Sequence, residues 1–121
     1  MIDHIELTTR RLAVMTAFYA EALAPLGYRV VTTGRPVGFG VEGKPSCFFL
    51  ELGDAPLPPI HHSFHCSTRG LVDAACAAAV AAGGTDAWGP KLAPSVHSSY
   101  YCGQMRDPDG HLLEFSCHNS E

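Results

Sequence analysis

Two histidines and two glutamates at repeated positions are the side chains of this chain best suited to chemistry. His4 and His61 each begin a short segment in which an apolar residue follows three positions later. Glu51 ends one strand-like apolar run, and Glu114 lies within another. Two imidazoles and one or two carboxylates suit Fe(II), Mn, Ni, Co or Zn, and leave room for substrate or water. If the four side chains line one cup, the sequence predicts a divalent metal site.

These positions belong to two copies of one pattern. The distance from His4 to Gly27 is 23 residues, and the distance from His61 to Gly84 is also 23. Equal spacing of similar segments indicates a duplicated structural unit. The segment 52–60 contains three prolines and reads as the link between the copies. We therefore predict one α+β domain over 1–121, built from modules at about 1–54 and 60–121.

Helical periodicity follows the first strand of each copy. Apolar residues recur at helical spacing from about residue 11 to residue 26, with Thr9 as a possible N-cap and Gly27 marking the end. The second helix has an alanine-rich face, Ser67 or Thr68 as a cap, and a glycine pair at its end. Each copy is thus predicted to begin with a strand followed by a helix.

Further strand-like runs follow each helix and make each copy look βαβββ-like. They cover 28–33, 38–41 and 47–51 in the first copy, and 100–105 and 112–117 in the second. A Pro-Asp-Gly turn at 108–110 joins the last two runs. Strand alternation predicts that Glu114 shares a face with Ser116 and His118, opposite an apolar face. The orientation of Glu51 depends on strand register, because a slip of one residue would turn its side chain outward.

Composition excludes several functional classes. Of the 121 residues, 46% are hydrophobic and 17% are charged, which fits a packed domain rather than a disordered chain. A formal charge of -4 and no basic stripe argue against a nucleic-acid partner. The longest weakly polar stretch, 71–82, is far shorter than the roughly 20 apolar residues that span a membrane. Five cysteines without a C-x-x-C pair indicate reduced thiols, so we expect a cytoplasmic protein without membrane partners.

The sequence resembles the vicinal oxygen chelate superfamily, which includes glyoxalase I, bleomycin resistance proteins, fosfomycin resistance proteins and extradiol dioxygenases, and in particular a compact branch of it. The resemblance covers the whole chain. Its most specific part is the turn at 107–110 followed by a strand that carries Glu114. The other matching segments are His4 to Leu7, Phe18-Tyr19, Leu23 to Tyr28, His61 with Phe64, and Ala81 to Gly84. The resemblance implies paired βαβββ modules whose curved mixed sheets form a shared cup.

The resemblance also implies a site and a chemistry. It places His4, His61 and Glu114 at the positions of the family's metal ligands, and Glu51 at the fourth ligand position of glyoxalase I. The implied enzyme is a lyase, isomerase or dioxygenase in which the metal chelates neighbouring substrate oxygens and stabilises an oxyanion. In an isomerase, Glu114 or Glu51 would detach and move a proton as the catalytic group. Many relatives are homodimers.

Alternatives to catalysis remain open at this stage. Bleomycin resistance proteins use no metal, so the same cup would serve a protein that binds or sequesters a small molecule. An interaction module whose histidines are simply hydrogen-bonded is a third possibility. Near the predicted cup, Tyr101 and His97 are the candidate substrate contacts, because a rim tyrosine or histidine can donate a hydrogen bond to substrate.

Overall fold

The computed structural model describes residues 1–120 and shows two modules with the same order of elements. Each module has a strand, a helix and three further strands, so the predicted α+β fold is confirmed. The first module contains β1 (Ile5–Thr9), α1 (Leu12–Ala22), a 3-10 turn (Ala24–Leu26), β2 (Tyr28–Thr32), β3 (Val37–Val41) and β4 (Phe48–Leu52). The second contains β5 (His61–His65), α2 (Arg69–Ala81), β6 (Thr85–Leu92), β7 (Tyr101–Arg106) and β8 (Leu112–Cys117).

The two sheets have identical topology. Their strand orders are β1-β4-β3-β2 and β5-β8-β7-β6. In each sheet the first and last strands of the module are parallel neighbours, and the other pairs are antiparallel. The strand that begins each module, β1 or β5, therefore lies at a sheet edge beside the strand that ends it.

The helices follow the predicted spacing with differences at their ends. Thr68 caps α2 as predicted, since its hydroxyl accepts a hydrogen bond from the amide of Leu71 at 3.1 Å. Thr9 does not cap α1: Arg11 precedes that helix, and the Thr9 hydroxyl accepts from the Arg11 amide instead. Gly27 ends the 3-10 turn at φ 82°, a conformation that glycine adopts without strain. In the described part of the chain, no helix is long and apolar enough to cross a membrane.

Strand β6 is an element that sequence patterns did not predict. Its sequence, TDAWGPKL, contains aspartate, glycine and proline, which are depleted in strands. It lies at the edge of its sheet, and its register with β7 shifts twice. An edge position tolerates Pro90, because the missing amide proton is not needed by a further strand.

Strand alternation separates an apolar face of β8 from a polar one, although both are largely buried. On β8, Leu113, Phe115 and Cys117 are buried on one side, while Glu114 and Ser116 occupy the other, as predicted. Buried side chains from both modules form one continuous core. All five cysteines are free in the structure.

A buried hydrogen-bond network joins the two modules. Tyr19 on α1 donates to Asp107 Oδ2 at 2.6 Å, and His62 Nε2 lies 3.1 Å from the same hydroxyl. Because the Tyr19 proton goes to Asp107, His62 must be the donor in its own contact. Asp107 also accepts from the amides of Asp109 and His111. The turn before β8 is thereby fixed to the helix of the other module.

His62 makes stability depend on pH. Burial, followed by the neighbouring His111 and His61, lowers the pKa of His62 from 6.5 to about 4. Between those two pH values the unfolded chain binds a proton that the folded chain does not. The free energy of unfolding should therefore fall as pH drops from 6.5 to 4, by up to about 3 kcal/mol.

The matched variant is His62→Gln, which retains a donor for Tyr19 but does not titrate in this range. Urea unfolding at pH 7, 5 and 4 should show a weaker pH dependence for this variant than for the wild type. Equal pH dependence in the two proteins would contradict the assignment to His62.

Candidate functional site

The structure brings two of the predicted ligands into contact. His61 Nε2 on β5 lies 2.7 Å from Glu114 Oε1 on β8. The contact follows from the parallel pairing of these strands. Ser63 is the residue opposite Glu114, and His61 lies two positions before Ser63 on the same face of β5. The Glu114 side chain is only 6% exposed, whereas that of His61 is 51% exposed. A buried carboxylate therefore meets an imidazole that opens to solvent.

Several donors hold the Glu114 carboxylate in place. The Tyr100 hydroxyl donates to Oε2 at 2.5 Å, and Gln104 Nε2 lies 3.4 Å from Oε1. Burial and this hydrogen bond raise the pKa of Tyr100 to about 12, so the phenol remains protonated at neutral pH. Burial, together with the charge of Glu114 and a hydrogen bond to it, raises the pKa of the Cys102 thiol to about 12. Both carboxylate oxygens thus have fixed partners.

His4 occupies the corresponding position in the first module but has different partners. Its Nδ1 lies 2.6 Å from Asp3 Oδ1, and its ring meets the edge of Phe49 with centroids 5.6 Å apart. A carboxylate at Nδ1 fixes the proton there and leaves Nε2 as the available ligand nitrogen. The His4 side chain is 55% exposed.

Strand register corrects the predicted match between Glu51 and Glu114. On β1, the residue two positions after His4 is Glu6, and it lies opposite Phe49. On β5, the residue two positions after His61 lies opposite Glu114. Phe49 therefore holds the place that Glu114 holds in the second module.

Glu51 lies two residues further along β4 and has its own partner. It pairs with Thr8 in the sheet and accepts a hydrogen bond from Arg35 Nε at 2.9 Å. That bond, with the Leu52 amide, lowers the pKa of Glu51. The sequence suggested equivalence because Leu50-Glu51 and Leu113-Glu114 look alike, but pairing with β1 sets the register.

Tyr101 was predicted as a substrate contact, and the structure does not support that position. It lies opposite Cys117 on the helix side of the sheet, and its hydroxyl donates to Asp73 of α2 at 2.6 Å. The residue that reaches Glu114 is Tyr100, which sequence analysis did not select. The sequence predicts that the face of β8 opposite Glu114 is apolar, but only the register of β7 with β8 puts Tyr101 on that side.

His97, the other predicted substrate contact, lies beside Tyr100. Their ring centroids are 5.5 Å apart, and His97 Nε2 is 2.9 Å from His118 Nδ1. The Ser99 amide donates to His97 Nδ1 at 3.2 Å. His97 is therefore linked to Glu114 through Tyr100.

A cleft of about 780 Å³ runs between the edge strands of the two modules. Both His4 and His61 line it, whereas Glu114 lies behind His61. Its volume is within the range of small-molecule sites. The remaining lining residues are Ile2, Asp3, Ile5 to Leu7, Tyr28, Cys47, Phe48, Pro56, Ile60 and His62 to His65.

The donor set fits part of a metal site. Among residues 1–120, no group of three or more His, Cys, Asp or Glu side chains is placed to hold a metal ion. Two donors about 2.0–2.1 Å from one cation lie roughly 3 Å apart, close to the observed His61–Glu114 separation. A cation at this pair would replace the proton that the two side chains share. The pair can therefore supply two ligands, and a third is needed.

Comparisons with known proteins agree on one fold. A family model described as the Glyoxalase/Bleomycin resistance protein/Dioxygenase superfamily matches residues 1–115. A glyoxalase/bleomycin resistance protein from Albidiferax ferrireducens T118 has a similar structure, with TM-score 0.80 and 22% identity over 94% of this chain and 96% of that chain.

Two further solved structures share the fold. A glyoxalase/bleomycin resistance protein/dioxygenase family enzyme from Burkholderia phytofirmans PsJN has TM-score 0.75 and 19% identity over 98% of each chain. The oxidase ChaP-H1 has TM-score 0.71 and 18% identity over 98% of this chain and 96% of that chain. No curated protein sequence matches the chain.

Proposed function

Because the chain belongs to the glyoxalase/bleomycin resistance protein/dioxygenase superfamily, we propose that it is a metal-dependent enzyme acting on a small molecule. The observation that carries this proposal is the contact between His61 and the buried, fully hydrogen-bonded Glu114. Such an arrangement prepares a carboxylate and an imidazole for one cation. The metals that suit the ligand set are Fe, Mn, Ni, Co and Zn.

Three side chains are proposed to hold the cation. His61 binds through Nε2 and Glu114 through Oε1. His4 is the third ligand, because Asp3 engages its Nδ1 and because it lines the same cleft as His61. When bound, the cation supplies a Lewis acid for charge that develops on a substrate oxygen.

The cleft between β1 and β5 is the proposed substrate site. Aromatic side chains of Tyr28, Phe48 and Phe64 form part of its wall and exclude water from the bound molecule. The substrate class is a small molecule with neighbouring oxygen atoms, and the possible reactions are those of a lyase, isomerase or dioxygenase.

A second candidate is a metal-free protein that binds or sequesters a small molecule. Two observations favour it: the cleft is large and partly aromatic, and no third ligand meets His61 and Glu114 within the described residues. In that case the histidines would donate hydrogen bonds to the ligand rather than bind a cation.

Metal analysis of protein purified without a histidine tag separates these candidates. We expect close to one equivalent of Fe, Mn, Ni, Co or Zn in the wild type. His61→Ala should lose most of that metal while retaining its fold, because only Glu114 and His4 of the three proposed ligands remain. The matched control is His65→Ala, which removes an imidazole from the same strand and the same face.

The outcomes decide between the two candidates. Wild-type protein that is folded, free of metal and not reconstituted by any of the five cations would overturn the enzyme proposal. Shifts of the melting temperature by candidate ligands would then support the binding protein. Equal metal loss in the two histidine variants would overturn the assignment of His61.

A homodimer in the cytoplasm is proposed from the resemblance and the composition. The edge strands β1 and β5 carry the cleft, so a second copy packed beside it would enclose the substrate. Five cysteines without a disulfide support the cytoplasm as the compartment. The lack of a basic stripe supports a small molecule rather than a nucleic acid as the partner.

A further inference from the structure

We propose that Tyr100 is a positioning residue that holds Glu114 as a fixed metal ligand bound through a single oxygen. This inference rests on the proposed function, because it concerns the metal site formed by His61 and Glu114. Tyr100 does not touch substrate or cation in this role, and it acts only through the carboxylate.

The two oxygens of Glu114 have different environments. Oε1 lies beside His61 Nε2 at 2.7 Å, where a cation would bind. Oε2 accepts the hydroxyl proton of Tyr100 at 2.5 Å. A charge-assisted hydrogen bond of this length is among the stronger kinds in proteins. One oxygen therefore faces the metal position, and the other is occupied.

The backbone of Tyr100 is fixed on both sides. Its amide donates to the carbonyl of His97 at 3.1 Å, and its carbonyl accepts from the Ala93 amide at 2.8 Å. These bonds close the loop between β6 and β7 immediately before the first residue of β7. The position of the phenol is therefore set before any cation arrives.

Two imidazoles fix the ring of Tyr100. The ring contacts His97 and His118 edge-on, at centroid distances of 5.5 and 5.0 Å. Because the Ser99 amide occupies His97 Nδ1, the His97 proton is on Nε2 and is donated to His118 Nδ1. This hydrogen bond fixes the orientation of the two imidazoles relative to each other. Their contacts with the Tyr100 ring hold its hydroxyl toward Glu114.

This arrangement has a consequence for the reaction. A ligand carboxylate that detaches to take a proton from substrate must rotate, and rotation of Glu114 would break the bond from Tyr100. The Tyr100 hydrogen bond therefore opposes a role for Glu114 as a group that detaches to move a proton.

The test compares Tyr100→Phe with Tyr101→Phe. Each variant keeps its ring and removes one hydroxyl that donates to a carboxylate, at Glu114 or at Asp73. Titration with Co²⁺ should give a dissociation constant about 10-fold weaker for Tyr100→Phe than for wild type. Its visible Co²⁺ spectrum should also change, because that spectrum reports ligand geometry. Tyr101→Phe should match the wild type in both measurements.

Each result bears on a distinct claim. Thermal melting controls for a purely structural role, because each variant loses one comparable hydrogen bond and the two should lose similar stability. Only Tyr100→Phe should change the Co²⁺ spectrum. If wild type binds Co²⁺ and Tyr100→Phe has the same constant and spectrum, this inference is overturned and the proposed function stands. If wild type binds no Co²⁺, the proposed function and this inference both fail.

Discussion

Replacing Glu114 with glutamine is expected to weaken divalent metal binding by at least about 100-fold. Loss of a residue that only hydrogen-bonds a metal ligand weakens binding by up to about 100-fold, and loss of a ligand itself should cost at least as much. The amide has nearly the same shape, so the strand should remain intact. It lacks the negative charge that stabilises a bound divalent cation, and Oε1 is one of the two donors already in contact. Equilibrium dialysis against Mn²⁺ or Co²⁺, with circular dichroism to verify the fold, measures the effect.

Glu51→Gln is the matched control for that variant. It makes the same chemical change on the equivalent strand of the first module, two residues beyond the position that matches Glu114. Glu51 faces Arg35 rather than an imidazole, so its loss should leave the metal dissociation constant unchanged. A comparable loss in the two variants would show that Glu51 binds the cation and would contradict the register argument.

The contrast between these two glutamates shows what the sequence can and cannot predict. Alternation along one strand is local, and it correctly gave Glu114 and Ser116 the face opposite Leu113 and Phe115. The relation of Glu51 to His4 depends on how two strands separated by more than 40 residues are paired. That pairing is decided by packing of the apolar face, which a sequence pattern does not contain.

The fold was more predictable than the site for the same reason. Duplication of the spacing between histidine and glycine gave the βαβββ plan, because helices and hydrophobic strands have strong local periodicity. Strand β6 has no such periodicity and is held by its pairing with β7. Tyr100 was not selected as a site residue, because its contact with Glu114 depends on the pairing of β7 with β8 and its ring contacts come from two separate segments of the chain.

Asp107→Ala is expected to lower the free energy of unfolding by about 3 kcal/mol or more, the largest stability effect that we predict. The carboxylate is nearly fully buried and accepts from the Tyr19 hydroxyl and from two backbone amides. Removing it leaves three donors without their acceptor, and each buried donor costs about 1–3 kcal/mol. Urea unfolding at neutral pH measures the loss.

Asp54→Ala is the comparison, because its ion pair with Arg10 is on the surface, where the Asp54 side chain is 87% exposed. Such pairs contribute at most about 1 kcal/mol. A loss at Asp107 no greater than that at Asp54 would contradict the buried network. Burial raises the pKa of Asp107, whereas the hydrogen bonds from Tyr19 and from the two amides lower it.

A double variant tests that explanation directly. Tyr19→Phe removes the hydroxyl that Asp107→Ala would leave without its acceptor, so the two substitutions share one hydrogen bond. The combined loss of stability should therefore be smaller than the sum of the single losses. Strict additivity would mean that the helix of the first module and the turn before β8 are stabilised independently. Coupling would show that the strand carrying Glu114 is fixed in position by the other module.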